Sequence, residues 1–433
     1  MSFKASDLEK KVEDQTIRYR RMIDNLPDVP FPAGINSAAE YLTSLVQKGV
    51  KYRYETPSAE VQRRVQQELD TILSNHFEKY FLIIWEMTAM CRKRGIMYST
   101  YYDESNSSMV CYVLRITDID PLEHNLYFEF FCNPMRGLNP KINLVMSKNI
   151  IQHLRNIYGN DCVAMNVDKR EWNGDISEGR LGLNIMISKD SICGHIPVYE
   201  SPRGLACCRD GHEDVMGFNI PKADHWEKYA SDAYGTFHNI SLSDRKTMGQ
   251  VKKDRTKIYS KYWFSDKVKK RLRDFSLKSF ADLVVVEAIL NIPADDLADN
   301  VLVDIIKKQK KGYKPLFDGS DDLLGETYGR ILFNEQFIQI VQLVTGWDWE
   351  KADLLRRNMA LKKADELEHQ MPEFLESAVG FGLSCEVANE LFKTLYDSAV
   401  LLAPKAWCLG DAKNVWKESY LKAHYPHVLI AKK

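Results

Sequence analysis

The sequence predicts an α+β protein of more than one domain. Its 433 residues are 45% hydrophobic and 11% aromatic, which is enough to fill a sizeable core. Helical periodicity covers residues 37–95, short strand patterns follow from Met97 to about Tyr199, and a helical, lysine-rich pattern runs from about Ser241 onwards. Helices and strands that occupy separate stretches of a chain are typical of the α+β class.

The first part of the chain predicts four helices. Residues 5–25 are charged and helix-favouring, and three prolines in the stretch LPDVPFPAG then mark a linker. Ser37 with Glu40 forms a capping box for a helix that runs to about Tyr54. Residues 56–73 and 77–95 carry apolar residues at spacings of three and four, which predicts two more helices.

Short strands are predicted next. Strand patterns occur at MVCYVLRI (residues 109–116), around Asn143 and at LNIMIS (residues 183–188), and KNIIQHLRNIYG predicts one helix among them. In the segment NPKINLVMS, residues 139–147, alternation places Lys141, Asn143 and Val145 on one side of a strand and the apolar residues on the other.

Composition narrows the class of protein. The formal charge of −1 gives no global field for nucleic acid, so any such affinity depends on local basic clusters. No apolar run approaches the roughly 20 residues of a membrane helix, and the N-terminus is charged. The nine cysteines include no C-x-x-C pair, which favours reduced thiols. We therefore expect a cytoplasmic protein without a membrane partner.

Five blocks, in one order, resemble the bacterial C-family DNA polymerases, the DNA polymerase III alpha subunits. They are YFLIIWEMTAMCRKRGI, ITDIDPLEHNLYFEFFCNPMR, ISLSDRKTMGQ, ETYGRILFNEQFIQIVQLVTGWDWEKADLLRRNMALKK and YLKAHYP. The resemblance spans roughly residues 26–428. The family's amino-terminal PHP domain and its carboxy-terminal clamp-binding and OB regions have no counterpart in this sequence, so we expect a polymerase core alone.

The resemblance implies a C-family polymerase-like palm with an inserted short thumb and a helical fingers domain. The implied boundaries are an N-terminal helical extension at 1–25, a first palm-like part at 26–146, a shortened thumb-like insertion at 147–190, a second palm-like part at 191–240 and a helical fingers-like domain at 241–433.

The resemblance also locates the family's catalytic aspartates. In the family a P-D-I-D-I-D-F strand follows F-x-N-P-x-R, and its first two aspartates hold the magnesium ions; here those positions are Lys141 and Asn143. Carboxylates two residues apart on a strand can share a pair of cations. The replacement removes two negative charges and adds a positive one, so we expect no intact metal site. The family's third catalytic aspartate loosely matches Asp232, in DAYG. An alternative expectation is therefore that Lys141 has a structural role and forms a static salt bridge with Asp232.

A second family signature has also changed. The family's G-R-G-S-x-x-G-S loop, which brings backbone amides and an arginine to phosphate, aligns with YYDESNSS, and only its final serine, Ser108, is kept. Tyr102 replaces the arginine, and Asp103 and Glu104 add negative charge. Nucleotide or nucleic-acid contact is implied for Ser108 and for basic positions that match the family's fingers, namely Arg356, Arg357, Lys362, Lys363 and Lys405.

Two other clusters have ordinary interpretations. Asp118 and Asp120 have the spacing of a metal pair, but their place before Pro121 favours capping and turn contacts. A zinc hypothesis is weak because the spacing matches no standard zinc module. Its five ligands would be Cys193, His195, Cys207, Cys208 and His212.

These observations predict a catalytically degenerate polymerase III alpha-like protein, a pseudoenzyme without a cofactor, that has a binding or regulatory role in DNA replication or repair. Its partners would be DNA, a replisome protein or a true polymerase. Two alternatives stay open. One is an active DNA-directed DNA polymerase with an atypical magnesium site, formed by Asp232 with Asp103 or Glu104. The other is a phage or mobile-element decoy that competes for host replisome partners.

Overall fold

The computed structural model describes most of the chain, and all structural statements below concern that part. The described residues are 14, 16–17, 19–100, 103–145, 150–167, 183–187, 198–201, 204–208, 216–220, 238, 240–259 and 265–426. Within them the chain is mostly helical with a few short strands. It divides into two compact units, Met1–Asn239 with Tyr425–Lys433 and Ile240–His424.

The first unit has a helical core. The first three helices begin near their predicted starts: Ser37 caps the first with its side chain and Ser58 the second, and Gly95 ends the third in a left-handed conformation at φ 65°. Buried residues of these helices join one hydrophobic core, to which Ile23 and Leu26 also belong. The helices are α1 (Ala38–Arg53), α2 (Ala59–Ser74), α3 (Glu78–Arg94), α4 (Met109–Val113), α5 (Phe128–Phe131) and α6 (Ile150–Tyr158).

The strands of the first unit form two sheets. The smaller sheet is the antiparallel pair β1 (Ser99–Thr100) and β2 (Leu144–Val145). The larger sheet has the order β5-β6-β3-β4-β7; β3 and β6 are parallel and the other pairs are antiparallel. Its strands are β3 (Val163–Val167), β4 (Leu183–Ile187), β5 (Val198–Ser201), β6 (Gly204–Cys208) and β7 (Met216–Ile220). The palm, thumb and fingers boundaries stay predictions.

The strand predicted at residues 109–116 is wrong, because this stretch begins with helix α4. The side chain of Ser108 caps the helix, and the carboxylate of Glu68 accepts the backbone N–H groups of Met109 and Val110 at 2.8 and 2.9 Å. These contacts satisfy amides that a helix start leaves without intrahelical partners, so they favour the helix over the β propensity of the sequence.

The second unit consists of helices in the described residues. Ser279 and Asp282 form a capping box before α9, Asp348 caps α13, and Gly346 ends α12 at φ 68°. The helices are α7 (Arg245–Tyr259), α8 (Asp266–Arg271), α9 (Phe280–Leu290), α10 (Asp295–Lys311), α11 (Asp321–Leu324), α12 (Asn334–Thr345), α13 (Trp349–Ala360), α14 (Ala364–Gly380), α15 (Cys385–Ser398) and α16 (Lys405–His424). Across the described residues of both units, none of the helices has the length and apolarity needed to cross a membrane.

Candidate functional site

The pairing of β1 with β2 concerns both stretches at which this sequence departs from the family pattern that it resembles. Thr100 lies opposite Leu144, and Ser99 lies opposite Val145. The loop after β1 therefore starts beside the segment that leads into β2. The stretch aligned with the family's signature loop thus approaches the segment that contains Lys141 and Asn143.

The segment 140–143 is held by side chains rather than by a strand ladder. The hydroxyl of Tyr19 donates to the carbonyl of Pro140 at 2.6 Å, and the N–H of Ile142 donates to the hydroxyl of Tyr80 at 2.8 Å. The N–H of Asn143 donates to the carboxylate of Asp103. We call these four residues, with their three contacts, the held segment.

Lys141 and Asn143 do not share one environment, which corrects the expectation that they lie on one side of a strand. Regular pairing is confined to Leu144–Val145, so the alternation of a strand does not extend back to residue 141. The side chain of Lys141 is exposed, whereas Asn143 is 6% exposed. The position of Asp232 lies outside the described residues, so its predicted approach to Lys141 and Asn143 stays a prediction.

Asp103 contacts the segment at which the resemblance places the metal-binding aspartates. One of its oxygens accepts the N–H of Ser105 at 2.9 Å and also the Ser105 hydroxyl, and the other accepts the N–H of Asn143. Burial raises the pKa of Asp103 to about 6, while the hydrogen bonds and the nearby Lys141 ammonium act in the opposite direction. Both oxygens are therefore engaged with the protein itself.

The aligned signature loop is a 3₁₀ turn, Glu104–Ser107, that leads into α4. Ser108 is fully buried. Its hydroxyl oxygen accepts the N–H of Cys111 at 3.1 Å and donates to Glu68 at 2.8 Å. The structure thus gives the Ser108 hydroxyl two protein partners, and its contact with a nucleotide stays a prediction. Tyr102 lies outside the described residues.

The described donors at this place do not fit a pair of magnesium ions. Magnesium prefers hard anionic oxygens in octahedral geometry, but position 141 supplies an ammonium, position 143 a buried amide, and Asp103 is engaged by three donors. Across the residues that the structure describes, no group of three or more His, Cys, Asp and Glu side chains could hold a metal ion. The hypothetical zinc ligands lie outside the described side chains.

Asp118 and Asp120 have structural contacts, in keeping with the turn interpretation. Asp120 accepts the N–H of Leu122 at 2.9 Å and the hydroxyl of Tyr54. Asp118 lies 3.2 Å from the Nδ1 atom of His238 and 3.9 Å from Arg53. The two carboxylates are thus held by different partners.

In the second unit, the arginines of α13 are paired with an acidic side chain. Asp353 is 2.7 Å from Nη2 of Arg356 and 3.2 Å from Nε of Arg357. Arg356 also donates to the side-chain carbonyl of Asn334 at 3.1 Å. The Arg356 side chain is 15% exposed and that of Arg357 is 41% exposed. Part of the positive charge predicted for DNA contact is therefore offset within the protein.

Lys405 lies in a buried network at the start of α16. Its ammonium is 2.7 Å from Oε1 of Glu326 and 5.6 Å from the centre of the Phe333 ring. The backbone N–H of Lys405 donates to the carboxylate of Glu335 at 3.0 Å. Burial raises the pKa of Glu335 to about 6, against the lowering effects of Lys405 and Arg356. Lys405 and Arg356 thus act on the same buried carboxylate.

Lys362 and Lys363 are the exposed members of the predicted set. Both follow α13, where Lys362 has the unusual φ of 52° and Lys363 precedes α14. Their side chains have no ion pair within the described part of the chain. They are the better placed of these cations to contact a phosphate.

Some residues of both networks were not predicted. Tyr19, Tyr80 and Glu335 make contacts across 121, 62 and 70 residues of sequence, and no local spacing signals such a contact. Asp103 was visible as an unexpected acidic residue in the loop, but its contact with the backbone of residue 143 was not.

Comparisons with known proteins agree with the resemblance. The family model described as the bacterial DNA polymerase III alpha NTPase domain matches residues 40–171. A second family model, described as the bacterial DNA polymerase III alpha subunit finger domain, matches residues 224–382. The chain is 25% identical to the DNA polymerase III subunit alpha of Borreliella burgdorferi, over 98% of this chain and 44% of that protein. It is 26% identical to the subunit of Bacillus subtilis, over 93% of this chain and 43% of that protein. The chain therefore spans less than half the length of these relatives.

Proposed function

Because this chain belongs to the bacterial C-family DNA polymerases, the DNA polymerase III alpha subunits, we propose that it is a catalytically degenerate member with a binding or regulatory role in DNA replication or repair. The observation that carries the proposal is the contact between Asp103 and Asn143. It closes the altered signature loop onto the segment where the family resemblance expects metal-binding aspartates.

The chemistry of the family explains why this arrangement is unsuited to catalysis. In two-metal phosphoryl transfer, cations neutralise the developing negative charge and orient the attacking and leaving oxygens. An exposed ammonium at position 141 repels cations, and the carboxylate of Asp103 already accepts hydrogen bonds from the N–H and hydroxyl of Ser105 and from the N–H of Asn143. Loss of such preorganised stabilisation costs on the order of 10²–10³ in rate for each donor removed.

The altered loop opposes nucleotide docking as well. A phosphate-binding loop offers backbone N–H groups to the ligand. Here the Ser105 amide donates to Asp103, and the amides of residues 109 and 110 donate to Glu68. The carboxylate of Asp103 also adds negative charge beside the place where a triphosphate would dock. The proposal therefore rests on two separate changes in the same centre.

Two exposed lysines of the second unit support the proposal of a binding role. The fingers-like unit exposes Lys362 and Lys363 at the end of α13, and phosphate contacts from lysine carry affinity with little sequence information. We propose that DNA, a replisome protein or a true polymerase is the partner. The relatives are named as DNA polymerase III alpha subunits, which supports the proposal of a partner in replication.

Primer extension tests the proposal. A labelled primer-template is incubated with the four deoxynucleotides, with magnesium and separately with manganese, and the Asp103→Asn and Asp232→Asn variants serve as controls for contaminating polymerase. We expect no extension above background by any of the three proteins. Extension by the wild-type protein that either variant abolishes would overturn the proposal and support the alternative enzyme, whose metal site would use these carboxylates.

A further inference from the structure

The held segment presents Lys141 to solvent at a fixed position. Pro140, Ile142 and Asn143 are buried, and Lys141 alone among the four is exposed. We propose that Lys141 contacts a phosphate of a bound DNA strand, so that an ammonium serves nucleic-acid binding in the centre where the family has a metal-binding aspartate. The inference rests on the proposed function, because it assigns a ligand to the same centre.

Three side chains hydrogen-bond to the backbone around Lys141. Tyr19 and Tyr80 bond the residues on either side of it, and Asp103 bonds the next residue. The Tyr19 ring packs edge-on against Phe77, with centroids 5.4 Å apart, and against Tyr80 at 6.4 Å. A side chain on a backbone that is already ordered loses less entropy when it binds a ligand, since only its own rotamers must be fixed.

Among the residues that the structure describes, no carboxylate forms an ion pair with the Lys141 ammonium. Asp103 is a carboxylate whose burial raises its pKa, an effect that the nearby Lys141 ammonium opposes, and its two oxygens accept the N–H and hydroxyl of Ser105 and the N–H of Asn143. It is also 5% exposed, whereas Lys141 points its charge into water. A lysine ammonium is a compact point charge with three donors, which suits single phosphate contacts.

A DNA strand fits this place better than a free nucleoside triphosphate. A triphosphate needs several donors at one point, and the Ser105 amide of the altered loop is already engaged by Asp103. A DNA strand offers one phosphate to each cation along its path, so one exposed ammonium is enough for one contact. Both ligands share the phosphate chemistry, and the experiment distinguishes them.

An exposed apolar side chain lies in the turn before the held segment. Asn133 and Leu138 exchange backbone hydrogen bonds of 2.8 and 3.0 Å, which forms a tight turn with Met135 near its tip. Met135 is 92% exposed. An exposed apolar side chain six residues before an exposed lysine suits a nucleic-acid strand, whose sugars and bases are apolar on one face and whose phosphates are charged.

Fluorescence anisotropy tests the inference. Binding of labelled primer-template and of labelled single-stranded DNA is measured between low and moderate salt for the wild-type protein and for Lys141→Ala, Lys141→Arg and Met135→Ala. Lys48→Ala is the matched control, since Lys48 is an exposed lysine on α1 of the same unit. A labelled deoxynucleoside triphosphate is titrated in parallel.

We expect Lys141→Ala to weaken binding at low salt and to reduce the slope of log affinity against log salt by about 0.9 for duplex and about 0.7 for single-stranded DNA. Lys141→Arg should keep the slope. Met135→Ala should lower the affinity without changing the slope, and Lys48→Ala should change neither.

Three results would overturn the inference: no DNA binding by the wild-type protein, a salt slope for Lys141→Ala equal to that of Lys48→Ala, or binding of the triphosphate that depends on Lys141 while DNA binding does not. None of these results restores polymerase activity. Primer extension by the wild-type protein would instead refute the proposed function, so the two failures are distinguishable.

Discussion

The carboxylate of Asp103 accepts the backbone N–H of Asn143, so one side chain joins the altered loop to the segment that leads into β2. The same carboxylate holds the 3₁₀ turn through Ser105. A residue that the family resemblance places at a glycine of a phosphate loop has thus become a connection between two parts of the centre.

We predict that Asp103 makes stability depend on pH in the acid range. Because its folded-state pKa is raised from 3.8 to about 6, the folded state holds the proton more tightly than the unfolded state, and stability falls as pH rises from about 4 to about 6. Asp103→Asn should remove this part of the dependence, on the order of 1–3 kcal/mol. Urea unfolding followed by circular dichroism at pH 4.5, 5.5 and 7 measures it.

The difference between the wild-type protein and Asp103→Asn in how stability changes with pH reports on Asp103 alone, because Glu335 and the other carboxyl groups are present in both proteins. The absolute stability of Asp103→Asn can change in either direction, since the amide offers one acceptor oxygen where the carboxylate offers two. Equal pH slopes for the wild-type protein and the variant would show that Asp103 is not held in the buried, hydrogen-bonded state described above.

A second prediction concerns Lys405. Lys405→Met preserves most of the length of the side chain but removes its ammonium. In the wild-type protein that ammonium faces Glu326, and its charge acts to lower the pKa of the buried Glu335. We expect a loss of roughly 2–4 kcal/mol in the free energy of unfolding, because a buried carboxylate is left with less compensation. Thermal unfolding compares this variant with Lys393→Met, a change at an exposed lysine of α15.

The double variant Lys405→Met/Glu335→Gln should recover part of that loss, since no uncompensated buried charge remains. If Lys405→Met were as stable as Lys393→Met, the network around Glu335 would not contribute to the stability of this unit.

A third prediction separates the cations at the end of α13 by their surroundings. Lys362→Ala/Lys363→Ala should reduce the slope of log affinity against log salt for duplex DNA by about 1.8, because each lysine that contacts a phosphate contributes about 0.9. Arg356→Ala should instead lower the melting temperature and change the slope little, because Arg356 is paired with Asp353 and bonded to Asn334. Anisotropy titrations and thermal melts of the same preparations measure both effects. A larger slope change for Arg356→Ala than for the double lysine variant would reverse this assignment.

Much of the helical architecture could be predicted from local signals. Ser37, Ser58 and Asp348 cap helices through their side chains, and Gly95 and Gly346 end helices in left-handed conformations. These signals act over a few residues, so a sequence displays them directly.

The contacts that surround residues 141–143 could not be predicted from the sequence. The resemblance identified residues 141 and 143, and the pairing of Thr100 with Leu144 brings the loop to them. The strand alternation predicted there was wrong because Tyr80 and Asp103 take the backbone N–H groups of residues 142 and 143. Helix α4 was missed for a similar reason, since Glu68 binds its first amides from 41 residues away. Long-range contacts of this kind leave no local pattern.

Manganese binding, followed by electron paramagnetic resonance of the free ion, tests the central claim most directly, because the claim concerns which donors stand at positions 141 and 143. The account predicts that the wild-type protein has no manganese-binding site that depends on Asp103 or on Asp232. It also predicts no primer extension by Lys141→Asp/Asn143→Asp, since Asp103 still occupies the loop. Wild-type binding of manganese that is lost in Asp103→Asn or Asp232→Asn would contradict the account, and so would processive extension by the double variant.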